Sequence, residues 1–168
     1  MSIVLDGDNL TTVGVINSGT AVASTSGTSI TFTGIPVGTK RITVMFQGVS
    51  TNGTSNFQIQ IGAGSFSTSG YNGSGWYHSA STISAGVFTT GIGCINTVNA
   101  SYLYSGLATI CNITGNAWTG TVSIESNGAG GGGGAGSISL GGTLDRIRFT
   151  TVNGTDTFDA GSINILYE

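Results

Sequence analysis

The sequence predicts an all-β fold: a single antiparallel β-sandwich or jelly-roll-like domain with little or no helix. Three observations predict it. The first is residue supply. Thr, Val, Ile, Gly, Ser and Asn dominate, and they favour strands and turns. Of the good helix formers, Lys occurs once and Glu twice. The second is period-two alternation, clearest where Ile42, Val44 and Phe46 alternate with Arg41, Thr43, Met45 and Gln47. The third is the regular recurrence of turn signals between short apolar runs.

Taken along the chain, residues 28–34 place Ile30 and Phe32 on one face of a strand, and Pro36 suits the turn after it. Residues 40–49 form the alternating strand above. Asn52-Gly53 then predicts a tight turn. The run beyond it sets Phe57, Ile59 and Ile61 against Asn56, Gln58 and Gln60. These two runs are expected to pair as an antiparallel hairpin with one buried face. Residues 62–90 have weak period and are read as short strands or an ordered loop, with a further strand near 87–95. Residues 102–113 and 117–126, separated by Thr114-Gly115-Asn116, read as a second hairpin. GAGGGGGAG at 128–136 reads as a long hairpin connection. Residues 143–152 turn Ile147 and Phe149 inward and Arg146 and Arg148 outward. Asn153-Gly154 turns again, and 162–168 is the last strand.

Composition excludes several functions. The chain of 168 residues is long enough for one real core, with 38% hydrophobic residues. Only 7% are charged, against about 25% in a typical soluble domain. The net charge is −3 and there are four basic residues, Lys40, Arg41, Arg146 and Arg148. These make no patch that would neutralise a run of phosphates, so nucleic-acid binding is not expected. No apolar run approaches the ~18 residues of a membrane span. The start, MSIVLDGDNL, lacks the plan of a secretory signal, and synthesis in a cytoplasm is expected. Few surface charges also favour a chain partly covered by copies of itself or by a larger assembly.

The residues with chemical potential are few. Cys94 and Cys111 lie too far apart for a C-x-x-C motif and read as free, buried small hydrophobes, with a disulfide after assembly as the alternative. His78 follows Trp76 and Tyr77 with no acid near it in sequence, and reads as a surface or packing residue rather than a general base. Asp145, Asp156 and Asp159 would need two carboxyls across a cleft to form a glycosidase pair. Asp156 and Asp159 instead sit in a turn-like segment, where Asp bonds nearby amides, and Asp145 has a basic neighbour. Asp6-Gly7-Asp8-Asn9 lacks the rest of a calcium loop. The glycine run lacks the Gly-Lys-Ser/Thr ending of a phosphate loop. No catalytic residue, metal or cofactor is expected. Tyr71, Trp76 and Tyr77 are candidates for a sugar-stacking or subunit-interface cluster, with the interface preferred. Gly130, Gly131 and Gly132 are candidates for a loop offering amides to a receptor, against a plain flexible connection. Six N-x-S/T matches, at Asn9, Asn52, Asn72, Asn99, Asn112 and Asn153, follow from composition.

Two segments carry a resemblance. Residues 26–56, SGTSITFTGIPVGTKRITVMFQGVSTNGTSN, and residues 143–168, TLDRIRFTTVNGTDTFDAGSINILYE, resemble the two ends of a β-rich module of phage and prophage tail fibres. The resemblance implies a bacteriophage virion structural protein rather than an enzyme. Residues 1–25 would then be a short N-terminal attachment segment and 26–168 the sandwich domain. It also implies a homo-oligomer, with a trimer as first expectation, in contact with other virion proteins. The protein would sit on the virion surface, with a host-surface glycan or outer-membrane receptor as a further partner. A capsid decoration or head-fibre protein is the alternative, and a tail-associated glycan hydrolase a second one.

Overall fold

The computed structural model describes residues 15–127 and 130–168 in full, together with the backbone of 4–6 and 9–11. Among these residues the fold is all-β, without helix, and every strand pair is antiparallel. The chain runs through β1 (Val4–Asp6), β2 (Asn9–Thr11), β3 (Asn17–Ser18), β4 (Val22–Ala23), β5 (Ser29–Thr33), β6 (Arg41–Thr51), β7 (Phe57–Ala63) and β8 (Ser65–Phe66). It continues through β9 (Asn72–Ser79), β10 (Ile83–Phe88), β11 (Ile92–Gly93), β12 (Tyr104–Thr114), β13 (Ala117–Ser126), β14 (Gly130–Ser139), β15 (Arg146–Thr151) and β16 (Phe158–Tyr167). β1 and β2 pair with each other.

The remaining strands form two facing sheets of unequal size. The larger has the order β10-β9-β14-β13-β12-β6-β16-β3, with β4 also paired to β16. The smaller has the order β11-β7-β15-β5, with β8 folded back on β7. β11 lies over β9 and β14, and β5 over β16. Within residues 1–25, Asn17–Ser18 and Val22–Ala23 are thus edge strands of the larger sheet, and Ser24 Oγ donates to Ala160 O at 2.7 Å.

The alternation read from 40–49 is realised in β6, where Ile42, Val44 and Phe46 are buried. The second hairpin is also present: β12 pairs with β13 from Tyr104↔Ser126 to Thr114↔Ala117, turning at Gly115 with φ 51°. Ile147 and Phe149 of β15 face the core. The core is sealed by rings from both sheets. Phe46 and Phe149 have centroids 5.0 Å apart, and Phe57 meets Tyr104 edge-on at 5.3 Å.

Three expectations are corrected. β6 and β7 do not form a hairpin. β6 pairs with β12 and β16, whereas β7 lies in the other sheet beside β15 and β11. Asn52-Gly53 therefore carries the chain from one sheet to the other. Asn153-Gly154 does the same between β15 and β16, and the two crossings run side by side. Asn52 N donates to Thr157 O at 3.0 Å and Val152 N to Asn56 O at 2.9 Å. Second, β7 is buried on both faces, because the segment around Thr68 and Thr90 covers the side that carries Gln58 and Gln60. Third, the glycine run is no loop. From Gly130 onward it is a central strand, paired with β13 on one side and β9 on the other. Residues 128 and 129 of that reading lie outside the described residues.

The glycines of β14 have a packing reason. On the inner face β11 and Ile95 press directly onto bare backbone. A Cβ at Gly132 would come 3.0 Å from Ile95 Cγ1, and one at Gly136 would come 3.4 Å from Ile92 Cα. Glycine inside a strand commonly marks such a close approach. The expected strand near 87–95 is divided here: β10 ends at Phe88, and only Ile92–Gly93 pairs with β7.

Candidate functional site

The three aromatic candidates do not form one cluster. Tyr71 is 4% exposed. Its hydroxyl accepts from Ile61 N at 2.8 Å and donates to Ile61 O at 3.2 Å, and burial pushes its pKa up to about 12. It clasps the covering segment to β7 and offers no ring face to a ligand. Tyr77 is a core residue as well. Trp76, its neighbour on β9, points to the other side and is 49% exposed. Gly130, Gly131 and Gly132 have their backbone engaged in the ladders to Ser79, His78 and Tyr77 and to Ser126, Glu125 and Ile124. They present no loop of amides.

The acids take structural places. Asp156 accepts from Ser55 N at 2.9 Å and from Asn153 Nδ2 at 2.6 Å, which locks the two sheet crossings together. Asp145 makes a two-pronged contact with Arg146, 2.7 Å to Nε and 3.0 Å to Nη2. That guanidinium holds its carboxyl below the usual carboxylate range. Asp159 is exposed near the start of β16, and His78 is exposed on β9. The side chains of Asp6-Gly7-Asp8-Asn9 lie outside the described residues. No group of three metal-ligating side chains occurs among the described residues.

Both cysteines are free. Cys94 is fully buried, and burial pushes its thiol far above the ordinary range. Cys111 is half-buried on the outer side of β12. A thiol-specific reagent is therefore expected to modify Cys111 in the folded protein and Cys94 only after denaturant is added. Two thiols reacting at one rate under native conditions would contradict this placement.

The outer face of the larger sheet is the most extensive surface feature. Register places Ala85, Trp76, Gly133, Ser123, Leu107, Met45 and Asn164 in one row across seven strands. The next row is Val87, Ser74, Ala135, Thr121, Thr109, Thr43 and Leu166. Neither row carries a charge. Trp76 lies over β14 because Gly133 has no side chain: a Cβ there would come 3.3 Å from Trp76 Nε1. Gly73, Ala135 and Gly136 floor a shallow groove beside Val87. At the usual strand rise and spacing the two rows form a strip roughly 30 Å long and 14 Å wide, bordered on one side by exposed Glu125 and on the other by the Arg41–Glu168 pair. Along the strip, apolar contact and hydroxyl hydrogen bonds are available without desolvating a charge.

The covered face of the smaller sheet holds a second feature, which the alternation rule misses because it assigns Gln58, Gln60 and Arg148 to plain solvent. Gln58 and Gln60 are 1% and 3% exposed. Thr90 Oγ1 donates to Gln58 Oε1 at 2.8 Å, and Gln60 Nε2 donates to Thr90 O at 2.6 Å. Arg148 Nε donates to Gln60 Oε1 at 2.7 Å. With Thr68, Thr150, Thr151, Val152 and Gly154 they line a cleft of about 180 Å³.

Compared with family models, with curated proteins and with solved structures, the chain matches none.

Proposed function

We propose that this chain is a non-enzymatic structural protein of a bacteriophage particle, of tail-fibre or adhesin type. In this reading it is made in the host cytoplasm, is exposed on the virion surface and acts by self-association and attachment. The observation that carries the proposal is the uncharged strip across seven strands centred on Trp76, Leu107 and Met45. An interface of the standard size, about 800 Å² per partner, centred there would take in the strip together with Glu125 and the Arg41–Glu168 pair at its rim. The strip at its centre suits burial, since the charges stand at the rim, where they keep contact with water. The resemblance of residues 26–56 and 143–168 to the tail-fibre module adds the virion context. On a capsid or head fibre the same face would meet other virion proteins.

Self-association tests the proposal. Native mass measurement at micromolar concentration is expected to give a homo-oligomer, with the trimer as the dominant species. Leu107→Lys places a charge at the centre of the face and is expected to move the population to monomer while leaving the thermal midpoint of the fold nearly unchanged. A wild-type monomer at that concentration ends the proposal, and so does an oligomer indifferent to Leu107→Lys.

A further inference from the structure

The four cations of the sequence are not equivalent. Arg41 pairs with Glu168 at 2.6 Å and Arg146 with Asp145 at 2.7 Å. Lys40 donates to Asn112 Oδ1 at 3.1 Å, at an exposed position. Arg148 is half-buried, and no carboxylate pairs with it among the described residues. Its guanidinium is nonetheless held firmly. Nε is bound to Gln60, and Phe66 of β8 lies under the group, with Cζ 4.4 Å from the ring centroid. That stacking is favourable for a partly desolvated cation. Burial weakens the charged form of Arg148, a cost that an arriving anion would relieve.

The surroundings match a particular kind of anion. β7 and β15 set Gln60 opposite Arg148 and Gln58 opposite Thr150. Four polar side chains therefore share one patch of floor, with Thr68 and Thr90 at its wall. The amide orientations are fixed: Gln58 Nε2 donates to Thr151 O at 3.2 Å while its Oε1 accepts from Thr90. With Nε occupied, the terminal nitrogens of the guanidinium remain for a planar two-oxygen acceptor. The hydroxyl of half-buried Thr90 already donates to Gln58, so its oxygen is left as an acceptor for a ligand hydroxyl, while Thr150 is buried and donates to Thr28 O. A cleft of about 180 Å³ is smaller than the roughly 300–1,000 Å³ of pockets for drug-sized ligands. It suits a single small unit.

We propose that the cleft around Arg148 binds one acidic sugar residue, its carboxylate on the Arg148 guanidinium and a neighbouring hydroxyl on Thr90 Oγ1, with buried Gln58 and Gln60 holding those two groups in place. This inference stands apart from the virion reading, since it concerns the opposite side of the molecule and needs no oligomer.

The test is a titration of the isotope-labelled full chain, followed at the side-chain amides of Gln58 and Gln60. The probes are sodium glucuronate, sodium N-acetylneuraminate, glucose and inorganic phosphate. At least one of the two sugar acids is expected to shift these amides saturably, with a dissociation constant of about 1–10 mM, as befits a single unit on one charged anchor. The two acids separate a uronate from a sialate source. Glucose is expected to leave the amides unmoved, and phosphate to bind at least ten-fold more weakly than the better acid. Arg148→Gln is expected to lower the affinity ten-fold or more, and Arg148→Lys several-fold, because the ammonium keeps the charge without the fork. Backbone spectra of both variants report whether the fold is retained. The wild-type titrations decide the matter even if a variant does not fold. Absence of saturation with both acids, or phosphate or glucose binding as well as they do, overturns the proposal. A folded Arg148→Gln protein of unchanged affinity overturns it too.

Discussion

Gly134→Ala is expected to destabilise the fold by about 3 kcal/mol, the upper end of ordinary overpacking, and Gly134→Val to prevent folding. The reason is what stands where the new atom would go. A Cβ at Gly134 would run into the carbonyl oxygen of Gly93, and would lie 2.6 Å from Ser74 O and 2.9 Å from the Gly93 carbonyl carbon. All three are backbone atoms, on β11 and β9, so no rotamer change relieves the clash. The neighbouring sheet would have to lift off β14, which would undo the seating of Ile92 and Ile95, both fully buried. Gly141→Ala is the control. Nothing lies within 4 Å of its Cβ position, and its effect is expected within about 0.5 kcal/mol of zero. Urea unfolding of the three proteins measures the difference. A flexible glycine connection would tolerate both alanines alike, so a Gly134→Ala protein as stable as wild type would restore the loop reading and remove β14 from the sheet.

The glycine strand also shows which parts of the fold are legible in the sequence. Strand reading relies on side chains that alternate, and β6, β13 and β15 supply them. At Gly130 to Gly134 there are none, and composition alone suggests a linker. The signal that identifies β14 is three-dimensional: β11 packs on the strand too closely for side chains. Asn52-Gly53 and Asn153-Gly154 fail differently. Their chemistry correctly marks turns, since Gly154 has φ 68° and both asparagines accept backbone hydrogen bonds. Turn chemistry does not say whether the next strand returns in the same sheet or crosses to the facing one. The crossing is set by long-range partners, Asp156 with Ser55 and Thr157 with Asn52.

The candidate sites divide along the same line. The aromatic run 71–77 is conspicuous in sequence, but strand periodicity sends Tyr77 inward and Trp76 outward, and only the neighbour Gly133 makes the latter a flat surface feature. The cleft at Arg148 leaves almost no local signal. Gln58, Gln60 and Arg148 are ordinary outward-facing residues until the segment between β8 and β9 and the turn at Thr90 fold over them. The general depletion of charge was visible from the start. Which of the few cations lacks a partner depends on the fold.

Phe57→Ala is expected to cost about 3–5 kcal/mol, the range for truncating a large buried aromatic. For a chain of this size that lowers the thermal midpoint by roughly 10 °C. Phe57 is fully buried on β7. Its ring meets three others: Tyr104 at 5.3 Å and 87°, Phe149 at 5.4 Å, and Phe158 at 6.3 Å. Tyr104 and Phe158 belong to the opposite sheet, so Phe57 joins the two halves of the sandwich. A double-mutant cycle isolates that role. Phe57→Ala combined with Tyr104→Leu is expected to show a coupling of about 1 kcal/mol, the worth of an edge-on aromatic pair beyond its area. Sites that do not touch add within roughly 0.3–0.5 kcal/mol. Were β7 hairpinned to β6, Phe57 would lie in the same sheet as Tyr104 rather than opposite it, and the edge-on contact would be absent. Strict additivity in the cycle would therefore reject the facing arrangement of β7 and β12. A measurable coupling requires the chain to cross between sheets at Asn52-Gly53.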